Sequence, residues 1–340
     1  MDKMFKRTLL GAAVASLAAT GSANAAVQLA GDAVQFYGQA AGYITVADSG
    51  DTTVVATTIE SRIGFRGVVE FEDFSPKFVW QIEGGNADNG GFNPNEGWNH
   101  VNNGQLGARD TYLGFDFGKG GRFTYGRQLV AAYNYVDWPH SNPGLGNVFD
   151  WNNDIGAGYQ DRASNNLRYD SANFGGFSFQ ATLSGMESDI DGLVSSVGAS
   201  YGNDVFNIHG GVYSRGEYGT GADLKYANSY GILGGSLYLG SLTLTAAYKA
   251  MEADSATGTL KQNALSTTAQ YVIDGKWVLK AGYAATDDAT GNSKSSDTAV
   301  TARLGYILPS AYLYLDSRNY KMNEASDWTK AILAGVEYYF

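Results

Sequence analysis

Charged side chains recur at alternate positions within segments that are otherwise apolar. Arg62, Arg66 and Glu70 share one parity, while Ile63, Phe65, Val69 and Phe71 share the other. Successive side chains of a β-strand point to opposite faces, so the charges face water and the apolar residues face away from it. At 3.3 Å per residue, Arg62 and Arg66 stand about 13 Å apart along such a strand. By the same parity Lys249, Lys280, Arg303 and Arg318 face the polar side. Fixed charges along a narrow aqueous passage act as an electrostatic filter that biases ion entry. The alternative use of the same residues is to keep a wide lumen wet, and the depth of each residue relative to the narrowest point separates the two.

Covalent and metal chemistry have little to work with. The 340 residues include no cysteine, which excludes disulfides, thiolate nucleophiles and cysteine-based metal sites. Histidine occurs only at 100, 140 and 209, without a nucleophile motif around any of them, so an enzyme is not expected. His209 falls on the water-facing parity, where it reads as wall solvation. Asp287–Asn292 resembles an acidic calcium loop but lacks the closing glutamate, and reads as a solvated outer loop near lipopolysaccharide-bound divalent ions. No cofactor is implied. A formal charge of −11 removes the basic footprint of a nucleic-acid binder.

The elements that must position these residues are strands. Phe177, Phe179, Ala181 and Leu183 alternate with Ser178, Gln180, Thr182 and Ser184, and Leu242–Lys249 and Trp277–Tyr283 repeat the pattern. Sixteen such segments run from about Ala33 to Phe340. Short connections (72–76, 118–121, 173–175, 202–204, 240–241, 274–276, 308–310) alternate with long ones (near 48–58, 86–106, 128–164, 187–193, 214–225, 252–260, 287–297, 320–328). Short turns at one rim and long polar loops at the other are the signature of a transmembrane β-barrel. Phe71, Phe74, Tyr201, Tyr271, Trp277, Tyr306 and Tyr312 crowd the short turns and read as an interfacial girdle. Val336, Tyr338 and Phe340 give the final strand one apolar, aromatic face, as closure against the first strand requires.

Lys3, Lys6 and Arg7, an apolar run from Leu9 to Ala19 and the small-x-small ending Ala23-Asn24-Ala25 read as a signal peptide cleaved after Ala25. The run is too short to span a bilayer. The barrel domain is then 26–340. Loss of Asp2, Lys3, Lys6 and Arg7 takes the net charge from −11 to −13.

Four stretches resemble the general porin family of Gram-negative outer membranes. Ser61–Gly67 resembles its second strand. Arg109 through Tyr125-Gly126-Arg127-Gln128 resembles strand 4, its turn and strand 5. Arg162 with Asn165–Tyr169 resembles the return from the third loop, and Gly335–Phe340 resembles the terminal assembly signal. The resemblance implies a sixteen-stranded antiparallel transmembrane β-barrel, all-β, in the outer membrane as a homotrimer contacting lipid and lipopolysaccharide. It also implies a third loop folded inward, whose acidic residues face an arginine cluster on the wall. It assigns Arg62, Arg66, Arg109 and Arg162 to that constriction wall. The loop acids are Asp137, Asp150 and Asp154, with Asp161 where the chain rejoins the wall; Asp137 is the first choice and Asp150 the second. The Pro-Glu-Phe-Gly-Gly motif of some members is replaced by Pro143-Gly144-Leu145-Gly146, and Gln39 stands where some relatives carry lysine.

These features imply a passive channel for ions and small hydrophilic solutes with weak cation preference. The rival is an oligosaccharide-specific channel, in which Tyr133, Trp138 and Trp151, with Trp98 in the second loop, stack on sugar faces. On the first strand, Gly38, Ala40 and Gly42 share the outward parity with Phe36 and Ile44, which suits a close subunit contact.

Overall fold

The computed structural model describes residues 26–85, 105–151, 153–186 and 190–340. The leader at 1–25, Trp98 and His100 lie outside the described residues. The wall begins with β1 (Val34–Asp48) and with β2, in two runs (Thr53–Ile59 and Arg62–Phe71) broken at Glu60-Ser61. Both runs pair with β1, Gly42–Asp48 holding the first and Gln35–Gln39 the second, so together they make one wall strand. There follow β3 (Phe74–Gly84), β4 (Leu106–Asp116), β5 (Arg122–Leu129), β6 (Arg162–Asp170), β7 (Phe177–Ser184), β8 (Val194–Gly202) and β9 (Phe206–Arg215). The circuit is completed by β10 (Asn228–Leu239), β11 (Leu242–Ser255), β12 (Gly258–Ile273), β13 (Trp277–Thr286), β14 (Thr298–Leu308), β15 (Ala311–Lys321) and β16 (Thr329–Tyr339). Neighbours in sequence are antiparallel neighbours in space.

The sheet closes where β16 pairs with β1, from Lys330 opposite Asp48 to Tyr339 opposite Gln39. Two backbone hydrogen bonds between Gly38 and Phe340 extend that seam, at 2.7 and 3.1 Å. A Cβ at position 38 would lie 2.5 Å from the Phe340 ring and 2.8 Å from the Arg62 carbonyl, so only glycine lets the last residue lie flat there. The short run Val27–Ala30 folds back onto the start of β1. Sixteen strands is the number read from the alternation.

Burial is inverted relative to a water-soluble protein. Val212, Leu233, Leu279 and Leu315 point outward and are exposed, Leu233 at 65%, whereas Ser196, Thr245, Ser266 and Gln270 point inward and are buried. A band of exposed aliphatic side chains around a closed sheet is stable only in hydrocarbon, and closure leaves no unpaired edge there.

Three local expectations need correction. The connections expected near 48–58 and 252–260 are tight turns at Ser49–Thr52 and Ala256-Thr257, because β1–β2 and β11–β12 extend further. The run Thr53–Ile59 is rich in β-branched residues, which favour a pleated strand over a loop. Tyr312 is not part of the girdle. It is buried inside, stacked with Tyr314 and lying 5.8 Å from the Arg303 guanidinium, because Leu313 and Leu315 take the outward parity.

Candidate functional site

The connection between β5 and β6, residues 130–161, packs on side chains that point into the barrel. It carries two short helices, α1 (Tyr133–Asp137) and α2 (Gly146–Phe149). Val130, Val136, Leu145, Val148, Phe149 and Ile155 form one buried cluster with Met251, Ala264, Ala284 and Ala299 of the wall. Polar contacts fasten the same segment. Lys249 Nζ donates to the Asp150 carbonyl at 2.9 Å, Ser266 Oγ to the His140 carbonyl at 2.8 Å, and Tyr320 Oη to the Gly144 carbonyl at 2.7 Å. At the start of the loop the Ala131 and Ala132 amides donate to Thr182 and Ser196 hydroxyls.

Inward-facing glycines make this close docking possible. A Cβ at Gly211 would lie 2.8 Å from Ala132, one at Gly234 2.7 Å from the His140 ring, and one at Gly282 2.7 Å from Leu145. Sequence reasoning missed these seats. Their signal was present, as glycines on the polar parity of β9, β10 and β13.

On the opposite wall stand the arginines. Arg62 Nε donates to Gln39 Oε1 at 2.8 Å, and Arg66 donates to Gln35 Oε1 at 3.1 Å with its guanidinium 4.8 Å from the Tyr37 ring centre. Arg109 is paired with Glu83, which also accepts from the Tyr37 hydroxyl at 2.8 Å. Arg162 is paired with Asp110 at 2.7 Å. Each guanidinium is thus fixed by a wall partner.

Asp137, at the end of α1, is the loop acid that faces this cluster. Its carboxylate feels Arg109, Arg162 and Arg62, yet it makes no ion pair among the described residues. It is solvent-exposed, although walls on every side thin its hydration. That desolvation pushes its carboxyl above the ordinary value, and the three arginines pull the other way. A fixed negative charge and a row of fixed positive charges therefore face each other across water.

The other sequence-derived residues lie elsewhere on the loop. Asp150 is buried, accepts from the Tyr133 hydroxyl at 3.0 Å and lies against Lys249 rather than against the arginines; burial raises its carboxyl. Asp154 is held by Gln262, its amide donating to Oε1 at 2.8 Å and its carboxylate accepting from Nε2 at 3.1 Å. Asp161 is raised to about 6 by burial. Tyr133 is buried within the loop, so its ring packs rather than lines the passage. Trp138 lies on the short-turn side of the loop beside Lys280, and Trp151, 66% exposed, lies on the long-loop side near Tyr320 and Met322. His140 and His209, from loop and wall, share a hydrogen bond between their Nε2 atoms at 2.8 Å, so His209 anchors the loop as well as polarising the wall.

A closed barrel with an apolar exterior, a charged interior and a connecting segment docked inside is a channel rather than a sandwich. A family model described as Gram-negative porin matches residues 11–322. The chain belongs to the Gram-negative porin family. Porins are outer-membrane channels rather than enzymes, and this barrel crosses the outer membrane with its strands.

Among relatives, the chain is 36% identical over 343 residues to a chitoporin of Vibrio furnissii, covering 91% of this chain and 90% of that one. Among solved structures, an anion-selective porin from Comamonas acidovorans superposes with a TM-score of 0.71 at 18% identity, covering 91% of this chain and 99% of that one. The trimer form of OmpT from Vibrio cholerae superposes with a TM-score of 0.64 at 16% identity, covering 90% and 99%. At these identities the two structures speak to the porin fold alone.

Proposed function

We propose that the protein is a passive diffusion channel for ions and small hydrophilic solutes, narrowed by its third loop and weakly selective for cations. The observation that carries this reading is the water-exposed Asp137, without an ion pair among the described residues, opposite Arg62, Arg109 and Arg162. Two of those arginines are already neutralised by Glu83 and Asp110. The outer connections carry Asp191, Glu217, Asp223, Asp287, Asp288 and Asp327 against few lysines, so the mouth concentrates cations. Residues 1–25 are removed on export. The working unit is a homotrimer, whose contact includes the outward Ala40 and Gly42 at the edge of an apolar groove of about 870 Å³ across β13–β16, β1 and β2. Lipid and lipopolysaccharide cover the rest of the outer face.

A second reading is an oligosaccharide-specific channel. It is favoured by the likeness to a chitoporin and by Trp151 and Trp138 on the two sides of the docked loop. Single-channel recording in a planar bilayer, in a salt gradient and with a series of neutral oligosaccharides, separates the two. An ohmic current closing in three steps and indifferent to sugar supports general diffusion. Block by one oligosaccharide at micromolar concentration, lost in W138A or W151A, supports the second reading. A protein without conductance contradicts both.

A further inference from the structure

On the short-turn side of the third loop, the lumen contains a pocket of about 260 Å³ roofed by Trp138 and walled by β8–β13. A space of this size admits one sugar ring. Lys280 reaches into it, 7% exposed, with its ammonium 5.6 Å from the centre of the Trp138 ring. Among the described residues Lys280 makes neither an ion pair nor a hydrogen bond. Asp316, the acid nearest in influence, is already held by Arg303 and Arg318. Ser236, Thr243 and Gln270 line the same pocket, each at least nine-tenths buried and without a side-chain hydrogen bond among the described residues.

Their polar atoms open onto the pocket and are not tied up by protein partners among the described residues, so the four converge on whatever enters it. Water completes hydroxyls and amides, but it brings no charge to an ammonium already beside Arg303. The indole offers a flat apolar face of the kind that packs on the C–H face of a pyranose.

We infer that this pocket binds a small hydroxylated monoanion of the sugar-acid type. The carboxylate sits on Lys280, the hydroxyls are shared among Ser236, Thr243 and Gln270, and the ring packs on Trp138. The site lies beyond the arginine row, so a solute that has passed the narrow zone pauses there before release at the short-turn rim. This rests on the passive-channel reading and gives it a solute class.

The test is single-channel current of the full mature protein with millimolar glucuronate on both sides, against equal glucose and equal acetate. Glucuronate is expected to interrupt the current about tenfold more often than either control, since a charge-assisted contact worth about 1.4 kcal/mol changes occupancy tenfold. K280M should abolish the difference and K280R should retain most of it. Should K280M yield no channels, Q270L and T243V, which leave the charge in place, are expected to shorten the interruptions about threefold, the loss of one neutral hydrogen bond. Equal interruption by glucose or acetate, or interruptions unchanged in these variants, overturns the inference. Channels that conduct without interruption remove this site and leave the channel reading intact, whereas a protein that never conducts removes both.

Discussion

Phe149 tests what holds the third loop in the lumen. Its side chain is fully buried, packed in the cluster with Leu145 and Val148, edge-on to His140 at 5.9 Å and under the Lys249 ammonium at 5.6 Å. Phe149→Ala removes a buried ring where the rigid sheet cannot collapse to refill the space, and such truncations cost about 3–5 kcal/mol. None of that cost falls on the barrel ladder, because Phe149 lies on the loop and no strand pairing involves it. The loss is felt by the equilibrium between docked and undocked loop, and 3 kcal/mol multiplies the undocked population by about a hundredfold. Heat stability of the assembled barrel should therefore hardly change, while single-channel current becomes larger and noisier. Recordings of F149A and the wild type at one salt concentration measure this directly. A current equal in size and noise, from a correctly assembled barrel, would refute the claim that this cluster holds the constriction in place.

Other outcomes follow from the same geometry. Asp316 is fully buried and binds both Arg303, at 2.6 and 2.7 Å, and Arg318, at 2.7 Å. Asp316→Asn should cost about 3–5 kcal/mol through two uncompensated guanidiniums, read as a lower Tm of the barrel in detergent. Gly38→Val should lower the yield of assembled protein, read as the heat-modifiable fraction in membranes, since overpacking at the Phe340 seam costs about 1–3 kcal/mol. Burial, with His209 and Lys280 nearby, pushes His140 down to about 3, so the docked loop binds its proton less readily than the undocked loop does. That contribution to docking is complete above the ordinary histidine value and fades as pH falls below about 6.5, by roughly 3 kcal/mol at a pH two units lower. Asp161, raised to about 6, works in the opposite sense, so the quantity to measure is the extra acid-induced current noise of the wild type over H140Q. Equal noise in the two proteins would count against the histidine tether.

The wall was legible in the sequence because its physics is local. Alternation of Arg62, Ile63, Phe65 and Arg66 fixes which face each side chain takes, and lipid tolerates only one answer. The inward parity of Lys249, Lys280 and Arg303 follows from the same rule. What could not be read depends on contacts between distant parts of the chain. Asp137 and Asp150 are chemically alike, and only the docking of α1 and α2 sets one against the arginines and the other against Lys249. The His140–His209 bond joins residues 69 positions apart, and the glycine seats matter only because a loop lies on them. Tyr312 lies close to a turn but takes the inward parity, because its neighbours Leu313 and Leu315 face lipid.

The central claim is that ions pass between Asp137 and the arginines opposite. The chain contains no cysteine, so Asp137→Cys creates a unique thiol in an otherwise unreactive protein. The measurement is single-channel current of D137C before and after a bulky cationic methanethiosulfonate reagent, with the wild type as control. The account predicts that modification cuts the current of D137C sharply and leaves the wild type untouched. A current unchanged after verified labelling would place the ion path elsewhere and contradict it.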